Sequence, residues 1–177
     1  MKYFDELQRA MTWLGERDKT IFLGQAVEVP GVFMHNTLKY VPISKKREMP
    51  VCESLQMQMT LGLAFGGMVP VSIFPRWNFL LLATSDLVNM IDKVKDISCG
   101  ELKPKMIIRT AVGPDEPVHP GHQHVGDFTD AFRLMLKNTE IVRLDETEMI
   151  FDEYVKAYER DDGINTVLVE IGNRYND

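Results

Sequence analysis

Apolar residues recur at Phe4, Leu7, Ala10, Met11 and Leu14 with polar positions between them. That is the spacing of one helix face, and it predicts a helix over Tyr3–Arg17. Thr20–Leu23 is a short β-rich run closed by Gly24, the pattern of a buried strand with a turn behind it. Periodicity then disappears. Gln25–Met49 is predicted to be irregular, broken by Pro30-Gly31 and Pro42, and an aperiodic segment of that length in a compact domain is often functional.

The next signal is an absence of charge. From Ser54 to Pro75 there is no Asp, Glu, Lys, Arg or His. The run is almost long enough to span a bilayer, but Gln56, Gln58, Gly66-Gly67 and Pro70 divide it into a helix over Glu53–Gly66 and a strand over Val69–Phe74. Further along, a second buried helix is predicted over Trp77–Lys95 and a strand over Met106–Thr110. Val112–Gly126 reads as a loop rich in Gly, Pro and His. Helix Asp127–Leu136, strand Thr139–Arg143, helix Glu146–Tyr158 and strand Asn165–Glu170 complete the alternation. Such alternation predicts an α/β fold, a mostly parallel β-sheet sandwiched by helices. Ligands of these folds gather in loops at the carboxyl ends of strands. Glu53, the loop after Phe74 and the His-rich loop all fall at such ends.

Composition narrows the partners. A chain of 177 residues, 45% apolar and 26% charged, suits one globular domain over residues 1–177. A net charge of −6 argues against nucleic acid or an anionic membrane as partner. Lys45-Lys46-Arg47 is short and flanked by acid, and reads as a solvated loop. Cys52 and Cys99 form no CxxC pair, and Met1–Asp18 has no apolar signal region, so a cytoplasmic location is expected. The methionines, Met57, Met59 and Met68 among them, read as core packing.

Glu53 is the last charge before the uncharged run. A carboxylate beside such surroundings is desolvated, which favours its protonated form and suits it to proton donation. The alternative is a helix-start Glu that complements the helix N-terminus and reaches water. The His loop is a second candidate: His119, His122, His124 and Asp127 are spaced closely enough for a zinc hydrolase, or for a plain surface loop.

Taken together, Pro50-Val51-Cys52-Glu53, Gly62, Gly67, Pro70-Val71, Trp77-Asn78-Phe79 and Gln123-His124 resemble the pyrimidine-binding domain of thiamine diphosphate-dependent enzymes. The likeness is to the beta subunits of 2-oxoacid dehydrogenases and the middle domain of transketolase. It runs from Gly24-Gln25 to Val167-Leu168-Val169-Glu170, and between Pro50 and Asn89 it holds without a gap. The resemblance implies that Glu53 hydrogen-bonds a ring nitrogen of the cofactor's aminopyrimidine and tunes the acid–base step, the cofactor carrying the carbanion chemistry. It places Phe79 against the aminopyrimidine, with Trp77 as the alternative ring and a core role open for either. It sets Gln25 near the cofactor or the subunit interface. It implies that His124 faces the reacting carbon, where an imidazole can donate to a developing alkoxide or shuttle a proton. His122 and Arg76 are candidate contacts to a small keto substrate, and Arg76 can equally cap its loop.

The chain also departs from the family pattern. Arg76 stands where a small or apolar residue is usual, and Val125-Gly126 replaces Ser-Gln after His124. No Gly-Asp-Gly occurs, and Gly126-Asp127-Phe128 lacks the second glycine. Magnesium needs a set of oxygen ligands, so no metal ligand is assigned to this chain. The expectation is a split enzyme: a separate diphosphate-binding subunit holds Mg2+, in a heterotetramer or larger hetero-oligomer with self-association. Asp161-Asp162-Gly163 and the polar tail Gly172–Asp177 read as a domain end, without a further C-terminal domain. The implied activity is transfer or cleavage at a carbon–carbon bond next to a carbonyl. A non-catalytic binding or regulatory module of the same fold is the alternative of a different class.

Overall fold

The computed structural model describes residues 2–30, 33–116 and 118–177. Met1, and Gly31 of the Pro30-Gly31 break, lie outside the described residues. Helix α1 (Tyr3–Gly15) forms where the spacing predicts it and buries Tyr3, Leu7, Ala10, Met11 and Leu14. Asp5 and Glu6 sit in its first turn, where negative charge complements the helix dipole. Glu6 is buried, and Arg9 pairs with it at 2.6 Å.

Six strands form one sheet: β1 (Thr20–Gly24), β2 (Lys46–Glu48), β3 (Val69–Ile73), β4 (Ile107–Val112), β5 (Thr139–Arg143) and β6 (Asn165–Ile171). Their order is β2-β1-β3-β4-β6-β5, and every neighbouring pair is parallel. β3 is buried along its whole length. A strand covered on both faces reads as a continuous apolar run, which is why charge vanishes from this part of the chain.

Two cores flank the sheet. Ile107 and Ala111 of β4 point into the first, beneath α1, α2 (Phe33–Thr37) and α8 (Ile150–Glu159). Ile108 of the same strand points into the second, beneath α3 (Glu53–Phe65), α4 (Trp77–Leu80), α5 (Thr84–Asn89), α6 (Val94–Ile97) and α7 (Thr129–Met135). The chain leaves β1 toward the first core and leaves β3 toward the second. Adjacent strands β1 and β3 therefore send their loops to opposite faces, and the space between those loops at the sheet's carboxyl edge is the switch point where ligands of such sheets gather. Gly24 makes the approach possible: its φ is +145°, and a Cβ there would stand 2.2 Å from the Ile73 carbonyl oxygen.

Three sequence expectations need correction. The continuous helix over Trp77–Lys95 is instead α4, α5, α6 and two intervening 3-10 turns. No Gly or Pro marks the break. It allows Asp92, fully buried, to accept the backbone N–H groups of Lys137 and Asn138, while its own carbonyl accepts from Asn138 Nδ2 at 2.9 Å. Gln25–Met49 is not wholly irregular, since it contains α2 and β2. Lys46, read as part of a solvated loop, is buried.

Beneath α8 lies an ionic set that periodicity does not announce. Arg109 of β4 and Glu170 of β6 are both fully buried and form a two-pronged pair, with Nη2 at 3.0 Å from Oε2. Tyr154 donates to Glu170 at 2.6 Å, and Tyr175 donates to the other carboxylate oxygen. Burial and the adjacent Glu170 carboxylate push the Tyr154 hydroxyl well above its usual value, so it remains a donor. Removing one partner strands a charge in the core. Arg109→Met is expected to destabilise the fold by about 3–5 kcal/mol, read from the midpoint of urea unfolding against the wild-type chain.

Candidate cofactor site at the carboxyl edge of the sheet

Glu53 is the first residue of α3 and is buried. Most of the residue is packed away from water at the start of the helix. Gln25, immediately after β1, donates from Nε2 to Glu53 Oε1 at 3.0 Å. The second carboxylate oxygen has no partner among the described residues. One turn along α3, Gln56 donates to the Ile73 carbonyl at 2.9 Å and to Ser72 Oγ at 3.1 Å. Thr60 donates to the same hydroxyl at 2.9 Å. The first turn of α3 is thereby locked to the end of β3.

The Gln25 loop is held by Glu48. That carboxylate, at the end of β2, accepts the backbone N–H groups of Ala26, Val27, Glu28 and Val29 at 2.7–3.3 Å. Ala26 adopts a φ of 56° there, a left-handed conformation uncommon for a residue with a Cβ. Glu48 thus fixes the backbone from which Gln25 reaches Glu53.

The loop after β3 meets the His loop through Arg76. Its Nη1 donates to the carbonyls of Gly113, Pro114 and His124, the last at 3.1 Å. Burial lowers the guanidinium from its usual value, though such a group stays charged at all physiological pH. Arg76 therefore acts as a clamp between loops, the capping role left open by the sequence. Phe79 is half-buried, its ring centroid 5.6 Å from that of His124. Trp77 is fully buried, and its ring packs 4.9 Å from Phe132 in the second core. Of the two rings, Phe79 is the one beside the His loop.

His122 is exposed, and its ring lies 5.3 Å from that of His119. Asp127 is engaged elsewhere: it accepts from Thr129 at 2.6 Å and pairs with Arg143. Among the described residues, no group of three or more His, Cys, Asp and Glu is gathered to hold a metal ion. The zinc arrangement weighed from the sequence is thus not assembled. His124 Nδ1 in the His loop, and Asn78 Oδ1 and Trp77 Nε1 at the start of α4, are buried without a hydrogen-bond partner among the described residues.

Three supporting residues escape a reading by motif. Glu48 carries no spacing signal at all. Gln56 and Thr60, four apart inside the uncharged run, are the visible sign of a buried polar contact.

No family model matches the chain, and no curated protein matches it in sequence. Among solved structures it is similar to a split-gene transketolase described as an inactive beta4 tetramer, with a TM-score of 0.68 at 17% identity over 97% of this chain and 52% of that one. It is also similar to a protein isolated from Mycobacterium smegmatis and assigned as a thiamin diphosphate-dependent enzyme, with a TM-score of 0.63 at 14% identity over 99% of this chain and 31% of that one. A 2-oxoglutarate:ferredoxin oxidoreductase from Magnetococcus marinus gives a TM-score of 0.59 at 12% identity over 99% of this chain and 29% of that one. The chain spans about half the length of the first and under a third of the other two.

Glu48 generates a prediction. Burial raises its pKa, but the backbone N–H groups outweigh burial and hold it below the usual carboxylate value. A carboxylate lowered in this way contributes stability that is present above its unfolded pKa and lost as pH falls through the folded one. Glu48→Gln is expected to cost about 2 kcal/mol at neutral pH. The difference from wild type should shrink on acidification below the ordinary Glu range, as followed by urea unfolding across pH. The fold on which these loops are mounted is the one implied by the resemblance, that of the pyrimidine-binding domain of thiamine diphosphate-dependent enzymes.

Proposed function

We propose that this chain is the pyrimidine-side subunit of a thiamine diphosphate-dependent enzyme that acts on a carbon–carbon bond next to a carbonyl. The observation that carries the proposal is Glu53, a buried residue whose carboxylate has one oxygen fixed by Gln25 and the other without a partner among the described residues. An aminopyrimidine ring nitrogen suits that second oxygen. Phe79, half-buried beside His124, offers a ring for stacking on a flat heterocycle. The residues present therefore fit the pyrimidine half of the cofactor. When bound, thiamine diphosphate supplies the electron sink that carbon–carbon chemistry beside a carbonyl requires.

This chain's own residues hold and move protons. Glu53 would hold a proton toward the pyrimidine ring nitrogen of a bound cofactor, with Gln25 keeping the carboxylate oriented. His124 donates to the substrate oxygen as charge develops there, its Nδ1 having no partner among the described residues. Arg76 fixes the backbone of His124 and so sets the imidazole's position. Magnesium and the diphosphate belong, in this proposal, to a separate subunit. Self-association and a hetero-oligomeric assembly follow from the same split. The single domain over residues 1–177, the keto substrate and a cytoplasmic location stand with it as parts of one reading. Among the described residues, no helix is long and apolar enough to cross a membrane.

Proton exchange at the cofactor tests the assignment of Glu53. With a diphosphate-binding partner, wild-type chain should accelerate exchange of the thiazolium proton, followed by NMR after quenching. Glu53→Gln should assemble normally and suppress that exchange, since an amide cannot take part in the proton transfer. Exchange at the native rate in the variant would rule the role out.

His124 should behave differently. His124→Ala is expected to lower turnover of the reconstituted enzyme by roughly 10²-fold while cofactor affinity, measured by calorimetry, stays near that of wild type. His119→Ala and His122→Ala should change turnover far less. Equal losses in all three would argue against a single reacting imidazole.

A further inference from the structure

Lys46 opens edge strand β2 opposite Phe22 of β1, on the side of the first core. It is only 8% exposed. Its side chain lines a cavity of about 520 Å³ together with Phe4 and Gln8 of α1, His35 and Asn36 of α2, and Lys39. Among the described residues Lys46 has neither a side-chain hydrogen bond nor an ion pair within 4 Å. Burial lowers its pKa and the carboxylate of Glu28 raises it again, but Glu28 already accepts from the backbone N–H of Glu48 at 3.2 Å. The stem of Lys46 is packed away from water while its ammonium keeps access to the cavity, so a cationic head without a close partner faces that space.

The other walls lack negative charge as well. His35 Nδ1 is buried and unpartnered among the described residues. Lys39 stands at the rim, its Nζ 5.2 Å from the Tyr40 ring centroid and unpaired with any carboxylate among the described residues. Gln8 spends its amide on the Asn36 carbonyl at 3.2 Å, which leaves the Asn36 side chain free to donate. No Asp or Glu lines the cavity. Two ammonium groups, an imidazole and an amide thus converge on a space with an aromatic side at Phe4. That space is far larger than one inorganic phosphate.

We propose that this cavity binds a small organic anion, its phosphate or carboxylate head on Lys46 and Lys39 and its apolar body against Phe4. The site lies on the first-core face, the opposite face from α3, and is independent of the cofactor reading. Lys46 supplies the charge that selects an anion, and the exposed Lys39 adds a second one to the same lining.

Phenyl phosphate and benzoate serve as probes, with inorganic phosphate for the head group alone. Each is titrated into the full chain at low ionic strength and followed by calorimetry and by NMR shifts of α2 and β2 amides. Saturable one-to-one binding of phenyl phosphate or benzoate is expected, tighter than that of inorganic phosphate. The probe that binds more tightly identifies the head group. Lys46→Met should weaken binding at least tenfold and Lys39→Met about threefold, on the scale of lost charge-assisted hydrogen bonds. Lys45→Met removes the same charge from the same run without lining the cavity, and should leave binding unchanged. Lys39 is exposed, so its variant carries the test even if Lys46→Met fails to fold. No saturable binding of any probe, or an equal loss in Lys45→Met, would overturn the proposal.

Discussion

β1 and β3 approach closely enough at their carboxyl ends that only a residue without a Cβ fits at Gly24, and the geometry of the candidate site depends on that approach. The loops leaving the two strands part toward opposite cores, and the space between them is bounded by Gln25 on one side and Arg76–Phe79 on the other. Gln56 reaches the same point from α3 and donates to the Ile73 carbonyl. Glu53 lies one turn before it on the same helix. One close contact between strands therefore sets both the width of that space and the height at which the carboxylate stands.

The loops around this space carry little regular structure, so their backbone groups need other partners. Charged side chains provide them. Glu48 gathers four N–H groups and Arg76 gathers three carbonyls. In each case a full charge meets backbone dipoles, which are already fixed by the chain. Such bonds are stronger than neutral ones and cost less side-chain ordering than an exposed ion pair. The result is a set of loops with defined positions but no strands or helices of their own, which suits groups that must be placed accurately at a sheet edge.

Much of the fold was legible in the sequence because the sheet is buried on both faces. The strands at 20–24, 69–73, 107–112, 139–143 and 165–171 follow directly from apolar runs, and helices α1 and α8 from their spacing. The long helix over Trp77–Lys95 was misread because its breaks come from tertiary contacts, chiefly the buried Asp92, and not from Gly or Pro. β2 was invisible: three residues with two positive charges and one negative form a strand only because β1 offers a free edge. At the candidate site, the contact between Gln25 and Glu53 and the closeness of Phe79 to His124 join residues singled out separately along the chain. Trp77 could not be distinguished from Phe79 by sequence, since both are aromatic and two positions apart. Only packing against Phe132 assigns Trp77 to the core. The roles of Glu48 and Arg76 in holding loops depend on long-range backbone contacts that no local pattern encodes.

The buried polar atoms left without partners carry the argument one step further. Folded proteins satisfy nearly all such atoms, and this chain does so for the Glu170 carboxylate, around which Arg109, Tyr154 and Tyr175 all donate. Yet Asn78 Oδ1, in α4 after β3, and His124 Nδ1, in the loop after β4, have no partner among the described residues. An acceptor and an imidazole nitrogen placed on these segments can engage a ligand or a neighbouring chain of mixed polarity, whereas a core contact would leave them unsatisfied. In the proposed split enzyme, the edge where this chain presents Glu53 is also the edge where the second subunit has to dock. The same loops would then meet cofactor on one side and partner on the other. Their rigidity, set by Glu48 and Arg76, would be what allows two separately folded surfaces to form one site.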